Sequence, residues 1–101
     1  MKSVHFSKAA FSDLKDIDDY SMKEWGEAQA EQYLTELEAC ILRLVKNPML
    51  GRPCAEIRPG LRRIETGKHV IFYRLTEGEI WISRILHQSM LPGGERFARE
   101  D

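Results

Sequence analysis

The side chains of this sequence that could carry acid–base chemistry are few. Its histidines are His5, His69 and His87. An imidazole titrates near neutral pH, so His87, at the end of the last predicted strand, is the best candidate for proton transfer. The competing interpretation is a polar strand-end residue bonded to backbone. The sequence has no GxSxG, HExxH, P-loop or GxGxxG motif, so it offers no complete catalytic constellation.

The arginines are more informative than the histidines. Arg62 and Arg63 are adjacent on a predicted strand and must point to opposite faces, so one faces away from any anion site or is held by a carboxylate. Arg74 shares strand parity with apolar neighbours, and Arg84 shares parity with Ile80, Ile82 and Leu86. Such positions indicate either an end of the sheet or a buried pair with Asp or Glu. A salt-bridge network and a binding patch both remain open.

Two kinds of function could use these groups. RNA cleavage needs cations on the scissile phosphate together with a proton donor and acceptor, and the candidate set for it is Arg62, Arg84 and His87. Binding of an acidic partner needs only cations and adjoining apolar surface. Trp25, at a predicted helix end, is a candidate interface anchor. The predicted binding surface comprises Trp25, Arg58, Arg62, Arg63, Lys68, Arg74, Arg84 and His87.

The charge distribution supports a binding surface. The 101 residues carry a net charge of −1, but residues 1–38 hold four lysines against nine acidic residues, a net of −5. Residues 39–101 have a net of +4, and the stretch 43–74 alone has a net of +6. An acidic front half and a basic middle indicate a polar molecule with one face suited to anionic partners.

The elements that must position these groups follow from hydrophobic spacing. Apolar residues three and four apart predict a first helix from about Lys8 to Trp25, with Ser7 as its N-cap, and a second from about Glu27 to Lys46. The break at Gly26 predicts an antiparallel helical hairpin. A short strand at 4–6 precedes it, an irregular crossing at 48–60 follows it, and three strands joined by tight turns complete the chain. The predicted class is α+β: a helical hairpin packed on a three-stranded antiparallel meander.

Composition sets the remaining expectations. The length fits one domain over residues 1–101, with residues 92–101 as a loose polar tail. No apolar run spans a bilayer and the first residues do not form a signal peptide, so we expect a cytoplasmic location and no membrane contact. Cys40 and Cys54 lack metal-ligand spacing. We expect two reduced thiols, no metal and no cofactor.

The second half of the chain resembles a known family. The segments that carry the likeness, in order, are Gly51-Arg52-Pro53, Ile57-Arg58-Pro59-Gly60-Leu61-Arg62, Gly67-Lys68-His69-Val70-Ile71-Phe72-Tyr73-Arg74 and Arg84-Ile85-Leu86-His87-Gln88. They resemble the ParE branch of the RelE/ParE toxin superfamily, whose fold agrees with the α+β prediction.

The resemblance implies a toxin of a bacterial type II toxin–antitoxin pair. It implies a ParD-like antitoxin as partner, a ribbon–helix–helix dimer whose flexible C-terminal segment wraps the toxin, and no direct specific DNA binding by the toxin alone. Proteins of the ParE branch poison DNA gyrase by binding, which requires no catalytic residues. The RelE branch instead cleaves mRNA on the ribosome with several strand lysines and arginines. Here the strands offer few lysines, so this ribosome-dependent endoribonuclease is the alternative.

Overall fold

The predicted order of helices and strands is confirmed by a computed structural model, which describes residues 3–90. The elements are β1 (Ser3–Phe6), α1 (Lys8–Trp25), α2 (Glu27–Lys46), β2 (Arg52–Pro53), β3 (Leu61–Thr66), β4 (His69–Thr76), β5 (Glu79–His87) and a closing 3-10 turn (Gln88–Met90). The α+β class is therefore confirmed. The loose tail predicted at 92–101 lies outside the described residues, and a single domain over 1–101 remains a prediction.

The helical hairpin begins and turns where the sequence predicts. The Ser7 hydroxyl accepts the Ala10 N–H at 3.0 Å, which caps α1, and donates to the Ser83 carbonyl of β5 at 2.7 Å. Gly26 separates the helices with φ of 89°, a conformation that residues with a Cβ rarely adopt. Its N–H bonds the Met22 carbonyl and its carbonyl accepts the Ala30 N–H, so one glycine ends α1 and begins α2.

The sheet has five strands in the order β1-β5-β4-β3-β2. Strands β3, β4 and β5 form the predicted antiparallel meander. Two features were not predicted: β1 runs parallel to β5, and β2 is a two-residue strand inside the crossing that the sequence marks as irregular. A two-residue strand is too short to show an alternating pattern, and the prolines and glycines of that crossing are not typical of a strand.

The core has two parts, one on each face of the sheet. The larger part packs both helices against one face, with Leu37, Leu44, Ile71 and Ile82 among its buried members. The smaller part, on the other face, joins Val70, Phe72 and Leu86 to Leu61, and to Cys54 and Ile57 from the crossing. Both cysteines are unpaired and buried. Burial is the main cause that raises the pKa of the Cys54 thiol above its ordinary value.

A bulge in β5 changes which side chains share a face. Tyr73 pairs with Ile82 but Phe72 pairs with Arg84, so Ser83 is an extra residue on β5. Beyond it, Ile85 joins the helix-side core while Leu86 joins the other core. The predicted common face of Arg84 with Ile80 and Ile82 is therefore wrong, because simple alternation does not continue through a bulge.

Among residues 3–90, no helix is long and apolar enough to cross a bilayer. Within the same range, no group of three His, Cys, Asp or Glu side chains is placed to hold a metal ion.

Candidate functional site

A groove of about 390 Å³ opens between α1 and the end of the sheet where β4 begins and β5 ends. The sheet contributes polar side chains to it, because the β3–β4 turn and the end of β5 lie side by side. This wall is formed by Lys68, His69, Ile85, Leu86, His87 and Ser89.

The opposite wall is one face of α1. Residues at helical spacing bring two carboxyl groups near the middle of the helix and two aromatic rings toward its end. This wall is formed by Asp13, Asp16, Ile17, Tyr20, Ser21 and Trp25. The groove is thus apolar along its length, acidic on the helix and basic at the sheet end.

A chain of ring contacts links the helical hairpin to the sheet end. The Trp25 ring meets the Tyr33 ring edge-on at 5.8 Å, Tyr33 meets His69 at 5.5 Å, and His69 meets His87 at 5.3 Å. The Tyr33 hydroxyl also hydrogen-bonds His69 Nδ1 at 2.6 Å and accepts the Lys68 N–H at 3.0 Å. The β3–β4 turn is therefore tied to α2 through one phenol group.

His69 is held in its neutral form. Burial first, and then the neighbouring His87, lower the pKa of its imidazole, while Asp13 opposes the change; together they bring the pKa from 6.5 to about 4. Burial also raises the pKa of the Tyr33 hydroxyl, so this group keeps its proton at neutral pH. The pair is a neutral hydrogen-bonded unit and not an ion pair.

Arg84 is bound by Asp13, a carboxylate that lines the groove. Its Nε and Nη2 donate to the two Asp13 oxygens at 2.8 and 2.9 Å, and the Ile85 N–H donates to the same carboxylate at 2.9 Å. This contact lies past Ile82, where the pairing of β5 with β1 ends. The hydrogen bonds to Asp13 raise the pKa of the Arg84 guanidinium. Of the two interpretations of Arg84, an end of the sheet or a pair with a carboxylate, the structure shows the ion pair, and it is partly buried.

The other predicted arginines lie toward β2 and β3. Arg62 donates from Nε to the Gly51 carbonyl at 3.1 Å and from Nη2 to the Met49 carbonyl at 3.2 Å. Arg63 donates to Glu65 at 3.0 Å and lies over the Phe72 ring, 5.8 Å from its centroid. As predicted, one member of the Arg62–Arg63 pair is held by a carboxylate.

Two further predicted residues lie apart from the groove. Arg58 belongs to the turn before β3, where its N–H contacts the Cys54 carbonyl at 3.4 Å. Arg74 lies on β4 between Leu61 and Trp81 of the neighbouring strands. Of the predicted residues, the groove therefore collects Trp25, Lys68 and His87, and Arg84 is paired with the lining residue Asp13. The groove leaves out Arg58, Arg62, Arg63 and Arg74.

The candidate nuclease set does not converge in this structure. Arg62 and His87 are two strands and four residues apart in the ladder, which places their Cα atoms roughly 16 Å from each other. Arg62 is held by carbonyls, Arg84 by Asp13, and His87 Nδ1 contacts the Ser89 hydroxyl at 2.8 Å. No single phosphate can meet all three groups in these positions.

Sequence reasoning missed several groove residues. It gives His69 no role and does not single out Asp13 or Tyr20, nor Tyr33, which contacts His69 from α2. The hairpin register could have placed His69 near the end of β5, since two-residue turns determine which residues face each other. Nothing in the sequence marks Asp13 among the acidic residues of α1.

Comparisons with known proteins agree with this fold. The family model described as "ParE toxin of type II toxin-antitoxin system, parDE" matches residues 4–92. Toxin ParE1 of Mycobacterium tuberculosis is 51% identical over 85 residues, covering 83% of this chain and 87% of that protein. Toxin ParE1 of Caulobacter vibrioides is 43% identical over 90 residues, covering 89% and 93%.

A solved structure supports the same assignment. A chain from the chromosomal ParDE TA system of P. aeruginosa superposes with a TM-score of 0.73 at 27% identity, covering 86% of this chain and 96% of that one. Toxin ParE of Escherichia coli is 34% identical over 91 residues. The matches fall in the branch that the sequence motifs predict. This chain belongs to the ParE toxin family of type II toxin–antitoxin systems.

Proposed function

We propose that this ParE-type toxin acts in the cytoplasm by binding DNA gyrase and stalling it. We propose further that a ParD-like antitoxin neutralises it by wrapping its surface with a C-terminal segment. The observation that carries the proposal is membership of the ParE family, joined to the separation of Arg62, Arg84 and His87. Inhibition by binding needs no aligned proton donor and acceptor.

The outer surface is suited to large partners. Several big apolar side chains are 45–62% exposed; they are Phe11, Tyr20, Met22, Leu42, Met49 and Leu50. Half of them lie on α1 and the others at or after the end of α2, beside the basic middle of the sequence. Large side chains exposed on both helices are typical of a protein that buries them against a partner.

A supercoiling assay tests the gyrase proposal. Purified toxin is incubated with gyrase, ATP and relaxed plasmid, and we expect lost supercoiling or accumulated cleaved plasmid. Addition of the antitoxin from the neighbouring reading frame, before gyrase, should restore activity. Full gyrase activity at saturating toxin would exclude this target.

Two further measurements separate the alternatives. Toxin alone should not cleave mRNA in a translation extract and should not shift operator DNA in a gel. Charge reversal at Arg58 and Arg63 should weaken the antitoxin complex and reduce its salt dependence, while reversal at the exposed Lys15 of α1 serves as the matched control. Ribosome-dependent cleavage by the unmodified toxin would support the endoribonuclease alternative instead.

A further inference from the structure

The sheet end of the groove presents hydrogen-bond donors. The Ser89 N–H donates to His87 Nδ1 at 3.1 Å, which requires a bare Nδ1 and puts the proton of the neutral ring on Nε2. The Tyr33 oxygen already accepts the Lys68 N–H, so its own proton is assigned to His69 Nδ1. Both histidines are thus assigned as Nε2–H donors.

The same assignment argues against a metal on this pair. A neutral imidazole ligates a metal ion through a bare nitrogen, and here each ring has its bare nitrogen occupied by a donor. The exposed side chain of Lys68 adds an ammonium to the same wall of the groove. A ligand that satisfies this wall must supply acceptors.

The helix wall limits the charge that the ligand can carry. Asp13 is paired with Arg84 and also accepts the Ile85 N–H, so its charge is compensated. Asp16 is the second carboxylate that lines the groove, and its side chain is exposed to solvent, which screens its charge. One ammonium and two N–H donors accommodate a monoanion, whereas a phosphate dianion meets too little positive charge.

The rest of the groove is apolar. Ile17, Trp25, Ile85 and Leu86 line it, and a volume of about 390 Å³ holds a carboxylate side chain together with an adjacent aliphatic group. The ligand must therefore offer hydrogen-bond acceptors, carry a single negative charge and have an apolar neighbour. An acidic residue flanked by aliphatic residues in a peptide has all three properties.

We propose that this groove is a carboxylate-binding site, whose ligand is a Glu or Asp side chain between aliphatic residues in the antitoxin segment. The carboxylate lies at the sheet end against Lys68 and His87, and the aliphatic neighbour packs on Trp25. This inference rests on the proposed antitoxin pairing and assigns to it a specific subsite.

The first experiment uses small peptides on the full chain. The probes are acetyl-Leu-Glu-Leu-amide and acetyl-Leu-Gln-Leu-amide, with inorganic phosphate at matched ionic strength, each followed by imidazole and indole NMR signals. We expect the Glu peptide to shift the His69, His87 and Trp25 signals and to bind about tenfold more tightly than the Gln peptide. Equal binding of the two peptides, tighter binding of phosphate, or no shift at millimolar peptide would overturn the proposal.

The second experiment uses variants and the antitoxin. Lys68→Gln should weaken binding of the Glu peptide by about threefold, because an exposed ammonium contributes modestly to affinity. It should leave binding of the Gln peptide unchanged. Lys15→Gln on α1 removes one positive charge outside the groove and should change the binding of neither peptide. The antitoxin of the neighbouring frame should lose affinity with Lys68→Gln only. Full antitoxin affinity for Lys68→Gln refutes the subsite but leaves the pairing intact, whereas no antitoxin binding to the unmodified toxin refutes the pairing itself.

Discussion

The neutral state of His69 makes the stability of this protein depend on pH in a defined window. In the folded chain its pKa is about 4, against 6.5 for an unperturbed imidazole. Between these values the unfolded chain binds a proton that the folded chain does not, so stability falls as pH decreases. The stability associated with the neutral imidazole of His69 is fully present above pH 6.5. It declines as the pH falls below 6.5 and is lost once the pH is below the pKa of His69 in the folded chain.

The size of the effect follows from the same pKa difference. A gap of two and a half units corresponds to about 3.4 kcal/mol if the ring were fully shielded from water. His69 is only partly buried, so solvent screening reduces the expected change to about 1–2 kcal/mol. Urea unfolding at several pH values between 7 and 4.5 measures it.

Two variants assign the effect to this imidazole. His69→Gln cannot titrate, so its stability should decline less with falling pH than that of the unmodified chain, by about 1 kcal/mol. His87→Gln removes the neighbouring imidazole that lowers the pKa of His69, so this pKa should move back toward 6.5 and the loss of stability should shrink. An identical pH dependence for His69→Gln, or an NMR titration of His69 near 6.5, would refute the reasoning.

Two further expectations concern single contacts. Asp13→Ala leaves the partly buried guanidinium of Arg84 without this carboxylate and should cost about 2–4 kcal/mol of unfolding free energy. Glu65→Ala breaks more exposed pairs and should cost under about 1 kcal/mol. Equal losses in urea unfolding would contradict this ranking. Gly51→Ala would place a Cβ 2.6 Å from the Arg63 carbonyl oxygen, and such overpacking should cost about 1–3 kcal/mol. A melting temperature unchanged by this substitution would show that the β2–β3 contact can relax.

The helices were predictable because their signals are local. Ser7 is a residue type that caps helices, Gly26 supplies a conformation that other residues avoid, and the apolar spacing between them needs no knowledge of the rest of the chain. The meander was predictable for the same reason, since its turns are short. The parallel pairing of β1 with β5 was not, because it joins residues more than seventy positions apart.

The sequence by itself determined the family, the element order and the basic character of the middle segment. Only the tertiary structure decided the candidate site. The two-residue turn after Thr76, followed by unbroken pairing, would set His69 against Leu86; the extra residue Ser83 moves the register by one and sets it against His87. Because of that shift, His69 and His87 both line one groove. The shift occurs where the pairing of β5 with β1 ends and where Asp13 binds β5. Packing of this kind leaves no periodic trace in the chain.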